Sequence, residues 1–538
     1  MLGNCCIRNG SLHQTLITLL DQFQPNSFSF SVVKQIHALL IVSGFSKQHL
    51  FASKLFSLFA DSGNADYTHH LLLHNPSPSV VHWNRVIRSF SNNSTPNKSI
   101  KVFVEMQQFG IIPDHYTFPF LVKASARLAS IEHGMSLHSL VLKSGYQLDI
   151  FVQNSLIHMY AACGEILYAR KVFDEMRQRT NVTWNSMLDG YAKYGDLKRA
   201  REVFEFMPDK DIVSWSSLID GYVKGGEYGE ALKVFDRMMV AGEPKANEVT
   251  MVSVLGACSH LGALEQGRLM HRYIVENKLS LNLVLLTSLV DMYAKCGAIE
   301  EALVVFRTIP KHKTDVLLWN AIIGGLASHG YVQESLELFV EMSKVRVAPD
   351  EITYLCLLSA CVHRGLVKEA WEIFESLKRS GMIPKSEHYA CLIDVMARAG
   401  QVGEAYDFLN EMPLDPTPAM LGALLNGCMS HGRLDLAELL GKRLVEVDPH
   451  HDGRYVGLSN LYATIKRWDD AKMMRQAMDI TGVKKFPGFS YVEISGNLEM
   501  FIAHDKRHPK SVDIYMMVNF LLRQMKKVLD CDEGNTLY

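Results

Sequence analysis

Six short polar side chains stand at one recurring place in this 538-residue chain. Asn84 follows the tryptophan of VHWN, Asn185 that of VTWN, Ser216 that of VSWS and Asn320 that of LLWN. Asn154 in VQN and Thr287 in LLT hold the same place without a tryptophan. Asparagine can both donate and accept, while serine and threonine offer a smaller hydroxyl and leave more room. A side chain of this kind, presented once per repeat along a groove, can meet the Watson–Crick edge of a single-stranded base. A polar residue also ends each of these copies: Asp114, Thr180, Asp211, Asn247, Asp315 and Asp350. Each lies close to the next helix start, so two positions could meet one base together. A single asparagine is equally well explained as a helix N-cap; six matched pairs favour the groove.

Other reactive residues form no constellation. HDKRH at 504–508 offers two histidines four apart, which could share a metal if helical. Pro509 and the mixed charges favour a solvated loop instead. The ten cysteines are scattered and none forms a CxxC pair, which suits buried thiols in a reducing compartment rather than a disulfide framework. With no nucleophile–base set and no phosphate loop, we expect no catalytic residue, no metal and no cofactor.

The elements that must position the polar pairs repeat with them. SMLDGYAKYGDLKRAREVFEFM (186–207) and SLIDGYVKGGEYGEALKVFDRM (217–238) are two of at least six such copies. In the copy at 181–211, Trp184, Met187, Leu188 and Tyr191 fall on one helical stripe. Gly195 permits a tight turn, and Leu197, Ala200, Val203, Phe204 and Met207 form a second stripe ending before Pro208. Two short helices cannot bury both stripes alone, but stacked pairs can. The expected fold is therefore an all-α solenoid with one long concave surface.

The frame divides into segments at 49–79, 80–114, 115–149, 150–180, 181–211, 212–247, 248–282, 283–315, 316–350, 351–385 and 386–417, with a degenerate copy at 14–48. Their unequal lengths argue against a tetratricopeptide array, which would hold near 34 residues. Composition agrees with a soluble folded chain: 48% hydrophobic and 21% charged. A net charge of -2 does not advertise a nucleic-acid binder, although a local groove can be basic on a neutral molecule. No apolar run approaches the length of a membrane span. The first 13 residues, with Arg8 and Ser11 and no acid before Asp21, fit an organelle transit segment.

Segment endings such as IIPD (111–114) and VAPD (347–350), with the heads VHWN, VSWS and LLWN, resemble the pentatricopeptide repeat family. The alternation of standard, long and short copies resembles its plant-specific subclass. The resemblance implies a right-handed superhelical α-solenoid that binds single-stranded organellar RNA, one nucleotide per repeat. By the family's pairing, Asn84 with Asp114, Asn185 with Asp211 and Asn320 with Asp350 favour U. Ser216 with Asn247 favours A, Thr287 with Asp315 favours G, and Asn154 with Thr180 suggests a pyrimidine. The long copies carry Pro119, Val252 and Leu355 at the variable place and should read little. Ser53 with Ser79 and Ala390 with Thr417 fall outside the readable combinations.

Residues 418–482 resemble the extension repeats of RNA-editing members, and 483–538 the tail that follows them, with PGFSYVEI favouring a strand. Some members continue into a zinc deaminase, whose chemistry needs His-x-Glu and Pro-Cys-x-x-Cys. None of the 22 histidines begins His-x-Glu. The resemblance therefore implies a site-selecting factor for cytidine-to-uridine editing, not an enzyme. A deaminase of the family's DYW type would act in trans with other editing factors, in the mitochondrion or alternatively the chloroplast. Two other readings stay open: a splicing or transcript-stability factor, and a protein-binding helical scaffold without RNA affinity.

Overall fold

The first helix of most repeats begins where a polar residue can satisfy its free N–H groups. Asp149, Thr180, Asp211, Asn247, Asn282, Asp315, Asp350 and Thr417 each cap a helix by accepting from the backbone N–H three residues on. The computed structural model describes residues 30–44, 56, 58–59, 64–74, 78–483, 488–494, 497–502 and 505–533. The transit reading at 1–13, much of the copy at 14–48, Ser53 and His504 lie outside the described residues.

Two compact units divide at Ala246 and Asn247. In the first, α1 (Phe30–Val42) and α2 (Ala65–Leu73) precede five helical pairs. These are α3 (Val80–Asn92) with α4 (Asn97–Gln108), α5 (Thr117–Arg127) with α6 (Ile131–Lys143), and α7 (Ile150–Ala162) with α8 (Ile166–Glu175). Then come α9 (Asn181–Tyr194) with α10 (Leu197–Phe206) and α11 (Ile212–Lys224) with α12 (Tyr228–Ala241). The second unit holds α13 (Glu248–Leu261) with α14 (Leu264–Glu276), α15 (Leu283–Lys295) with α16 (Ile299–Thr308), and α17 (Val316–Ser328) with α18 (Val332–Lys344). It continues through α19 (Glu351–Arg364) with α20 (Val367–Arg379), α21 (Ser386–Arg398) with α22 (Val402–Glu411), and α23 (Pro418–Ser430) with α24 (Leu434–Val447). It ends with α25 (Asp452–Thr464), α26 (Trp468–Ile480), strands β1 (Phe489–Ile494) and β2 (Asn497–Ile502), and α27 (Ser511–Glu533).

Within each unit, first helices pack on first helices, and each second helix folds back on its own partner. Of the stripes read from 181–211, Met187, Leu188, Tyr191, Ala200, Val203, Phe204 and Met207 are buried, while Trp184 and Leu197 are half-buried. Gly195 makes the turn at φ 86°, a conformation costly for a residue with a Cβ. Trp184, Trp215 and Trp319 each meet a phenylalanine of the preceding second helix edge to face, Phe173, Phe204 and Phe306, with centroids 4.8–5.0 Å apart. Such pairs are worth about 0.5–1.5 kcal/mol beyond area burial. First helices approach closely because a small residue stands at the crossing. A Cβ on Gly190 or Gly221 would lie 2.8 Å from that of Ala161 or Ala192.

The long copies at 115–149 and 248–282 share a different junction. Gly134 and Gly267 admit the thioethers of Met159 and Met292. One turn on, His138 Nδ1 bonds the Tyr160 hydroxyl at 2.8 Å and His271 Nδ1 that of Tyr293 at 2.9 Å.

After 482 the strand expectation holds, with β1 over 489–494 pairing antiparallel to β2. Glu493 reaches back to the array. Its carboxylate accepts from the N–H groups of Glu265 and Gln266 at 2.9 and 3.0 Å. A carboxylate is favoured there by the positive end of α14, whose own cap residue Ala263 offers no side-chain acceptor. HDKRH lies in a turn, not a helix, where it is described. Arg507 pairs with Asp505 and the His508 ring packs on Phe501. Among the described residues, no group of three or more His, Cys, Asp or Glu side chains could hold a metal, and no helix is long and apolar enough to cross a membrane.

Candidate nucleic-acid interface

The polar pairs divide the two capping roles unequally. Asn84, Asn154, Asn185, Ser216, Thr287 and Asn320 are each the fifth residue of a repeat, one turn inside its first helix, and none is an N-cap. Their partners do the capping. The N-cap explanation therefore applies to the residue that ends each of these repeats and not to the inner residue.

Three of the six expected pairs are joined by a hydrogen bond. Asn84 Nδ2 donates to Asp114 Oδ1 at 2.9 Å and Asn320 Nδ2 to Asp350 Oδ1 at 2.9 Å. Asn185 Nδ2 spreads over both Asp211 oxygens at 3.1 and 3.3 Å. Two expected pairs are not joined. The Thr287 hydroxyl turns back to the Leu283 carbonyl at 2.8 Å, while Asp315 caps Leu318. Thr180 is engaged with Thr183, and Asn154 Oδ1 is buried without a partner. In the sixth pair, Ser216 belongs to the first unit and Asn247 to the second. Ser216 is nearly buried on α11, and Asn247 caps α13 through the Thr250 N–H.

Burial opposes ionisation of Asp350, but the bonds from Asn320 and Thr353 together outweigh it and hold its pKa below the ordinary value. Asp114 behaves in the same way through Asn84, Thr117 and Tyr116. Both carboxylates are thus charged acceptors that fix the facing amide with its N–H toward them. Each amide keeps a second N–H that meets no protein acceptor among the described residues.

In the second unit, a groove of about 600 Å³ is lined by Thr287, Asp291, Lys295, Leu317, Asn320, Ile352 and Leu355. Cys356 lines it too, but burial pushes its thiol up to about 11, so it stays protonated and is no nucleophile. Two of the residue rows here escaped the sequence reading. The second residue of nearly every repeat is an exposed apolar side chain: Val81, Tyr116, Phe151, Val182, Val213, Val249, Val284, Leu317 and Ile352. Their signal is apolar character at the repeat period but off the buried stripe. A second row is cationic. Lys193, Lys224, Lys295 and Arg398, each the thirteenth residue, pair with an aspartate four residues before at 2.6–3.0 Å.

Stacked helical hairpins that present an exposed apolar residue at the second place of nearly every repeat, with polar pairs and cations at fixed places in several of them, define a helical-repeat protein of the solenoid class. Models for the PPR repeat match residues 154–180, 182–212, 213–243, 284–313, 352–382 and 387–415. A PPR repeat family model matches 78–127 and 314–363, and an E motif model matches 431–493, later than the extension frame of 418–482. The chain belongs to the pentatricopeptide repeat family. A pentatricopeptide repeat-containing protein of Arabidopsis thaliana is 59% identical over 507 residues, covering 94% of this chain and 95% of the relative. Two further Arabidopsis members, one described as mitochondrial and one as chloroplastic, are each 38% identical over 520 residues. They cover 94% and 95% of this chain, and the matches span 76% and 92% of those relatives. The crystal structure of the maize pentatricopeptide repeat protein PPR10 shares the fold, with TM-score 0.52 at 19% identity over 85% of this chain and 67% of that one.

Proposed function

We propose that the chain binds single-stranded RNA, one nucleotide per repeat, and selects a site for cytidine-to-uridine editing in an organellar transcript. The observation that carries the reading is the Asn–Asp pair, in which a charged cap orients an amide and leaves one N–H to offer. That N–H suits a base carbonyl, as on U. The exposed second residues of adjacent repeats support stacking, since an apolar side chain on each face of a base is sequence-tolerant. The thirteenth-residue cations support phosphate contact.

The bases favoured from Asn84 to Asn320 follow the pairing given above: U, a pyrimidine, U, A, G and U, with the long repeats open. By analogy with the family, the repeat at 386–417 sits over the fourth nucleotide upstream of the edited cytidine. A deaminase acting in trans, with other editing factors, docks on the segments after 417. Relatives described as mitochondrial and chloroplastic support an organelle, and we assign the mitochondrion with the chloroplast as the alternative.

The recognition half is tested by a gel shift. The double change Asn185→Ser with Asp211→Asn should move the preference at the facing nucleotide from U to A. Equal binding of the wild type to the matched and the scrambled RNA overturns the reading. The editing half is tested by sequencing organellar transcripts of plants lacking this gene. A cytidine preceded by the expected bases should remain unconverted.

A further inference from the structure

Three repeat junctions carry the same two letters, Asn then Asp, yet they are not the same site. The difference lies in a third residue, three places beyond the aspartate and fully buried: Thr117, Ser214 and Thr353. Thr117 Oγ1 donates to Asn84 Oδ1 at 2.7 Å and stands 2.9 Å from Asp114 Oδ1. Thr353 Oγ1 repeats this with Asn320 Oδ1 at 2.6 Å and Asp350 Oδ1 at 3.0 Å. Each hydroxyl also accepts the aspartate's own N–H, at 3.0 and 3.1 Å. The amide is then held at both ends, its nitrogen by the carboxylate and its oxygen by the hydroxyl.

Ser214 does otherwise. Its hydroxyl donates to the backbone carbonyl of Asp211 at 2.7 Å. Asn185 Oδ1 is left buried with no partner among the described residues, and its Nδ2 is split between two carboxylate oxygens. Either hydroxyl can turn to a backbone carbonyl one turn back, as that of Thr287 does, but serine carries no methyl to place and turns more freely, and at Thr117 and Thr353 the hydroxyl faces the amide instead.

We propose that Thr117 and Thr353 are specificity-positioning residues that set how strictly their asparagines discriminate between bases, and that Ser214 makes the Asn185 step permissive. The inference rests on the RNA-reading function above. A pinned amide offers its free N–H in one direction and cannot turn its oxygen outward. An amide held at one end can turn, and can accept from the exocyclic amine of C as readily as it donates to the carbonyl of U. The Asn84 and Asn320 steps therefore separate U from C, and the Asn185 step separates them less.

The test is competition binding with RNAs that differ only as U, C, A or G opposite Asn185 or Asn320. Ser214→Thr should raise the U-over-C ratio opposite Asn185 by roughly fivefold, the size of one ordinary hydrogen bond. Thr353→Ser should lower it by a similar factor opposite Asn320, with no change at the other step. Thr353→Val keeps the shape and removes the hydroxyl, and should relax selectivity in the same direction. A purely structural role would weaken all four RNAs alike, and that outcome overturns the proposal. So does an unchanged ratio in Ser214→Thr, whose helical melting curve shows that it folds. If the wild type prefers no base at either step, the RNA-reading function itself has failed, and the two failures are told apart.

Discussion

The repeat at 316–350 and the long repeats at 115–149 and 248–282 are built from the same helical pair but place their polar groups on different sides. At 316–350, Asn320 and Asp350 form their bond on the first-helix face, beside the groove. In the long repeats the fifth residues are Pro119 and Val252, and the specific polar bond lies at the junction with the next repeat, from His138 to Tyr160 and from His271 to Tyr293. On the proposed function, one kind of repeat keeps its hydrogen-bonding capacity for RNA. The other uses it to hold its neighbour. A repeat without a polar pair at its fifth place can thus still hold its neighbour in the stack.

The largest expected effect breaks the reading side of this contrast. Asn320→Ala removes the oriented amide but leaves the Asp350 cap on Thr353 intact. Affinity for an RNA with U opposite this repeat should fall about tenfold, the scale of one lost specific contact. The preference for U there should vanish, while the melting temperature stays nearly constant. Leu355→Ala, at the long repeat that follows, should lower affinity less and by the same factor for every base. A base-dependent change from Leu355→Ala would erase the distinction between the two kinds of repeat.

A middle-sized effect sharpens it. Val252→Asn with Asn282→Asp writes a reading pair into the long repeat at 248–282. Asp caps as well as Asn, so α15 keeps its start. If only the side chains make long repeats silent, U opposite this position should bind roughly threefold better than the other bases in competition gel shifts, a fraction of a full contact. No gain would mean that the His271–Tyr293 junction also sets the backbone out of reach.

Much of this contrast was legible in the amino-acid order, because it is written in residues with few alternatives. Trp184, Gly195 and Pro208 mark a first helix, its turn and the end of a second, and the observed helices follow that frame. The capping role was misplaced by one turn: the N-cap explanation belonged not to the inner asparagine but to the residue that ends each repeat, such as Asp211 and Asp350. The exposed row of Val182, Val213 and Leu317 was not legible, because a search for buried stripes absorbs every apolar residue it meets. The divergence of Thr287 from Asp315, and of Ser214 from Thr353, could not be read either. Both depend on which of two nearby acceptors a hydroxyl turns to, and that choice is made by rotamer and packing. Strand β2 was missed for another reason: LEMFI becomes a strand by pairing with β1, a tertiary cause.

The smallest effect tests the holding side. Burial, above all, lowers the pKa of His271 and of His138. As pH falls below the ordinary histidine value near 6.5, the unfolded chain takes up these protons and the folded chain resists. The two histidines therefore contribute fully above about pH 6.5, and the contribution is lost as pH falls through their lower folded values. Partial exposure keeps the loss small, roughly 1–2 °C in melting temperature between pH 7 and pH 5. The double variant His138→Gln with His271→Gln should melt lower at pH 7 and lose less on acidification, as followed by circular dichroism. RNA preference at the reading steps should not change, because neither histidine faces a polar pair. A shift in base preference on that substitution would mean that the junctions of the long repeats set the register of their neighbours, and that holding and reading are one function rather than two.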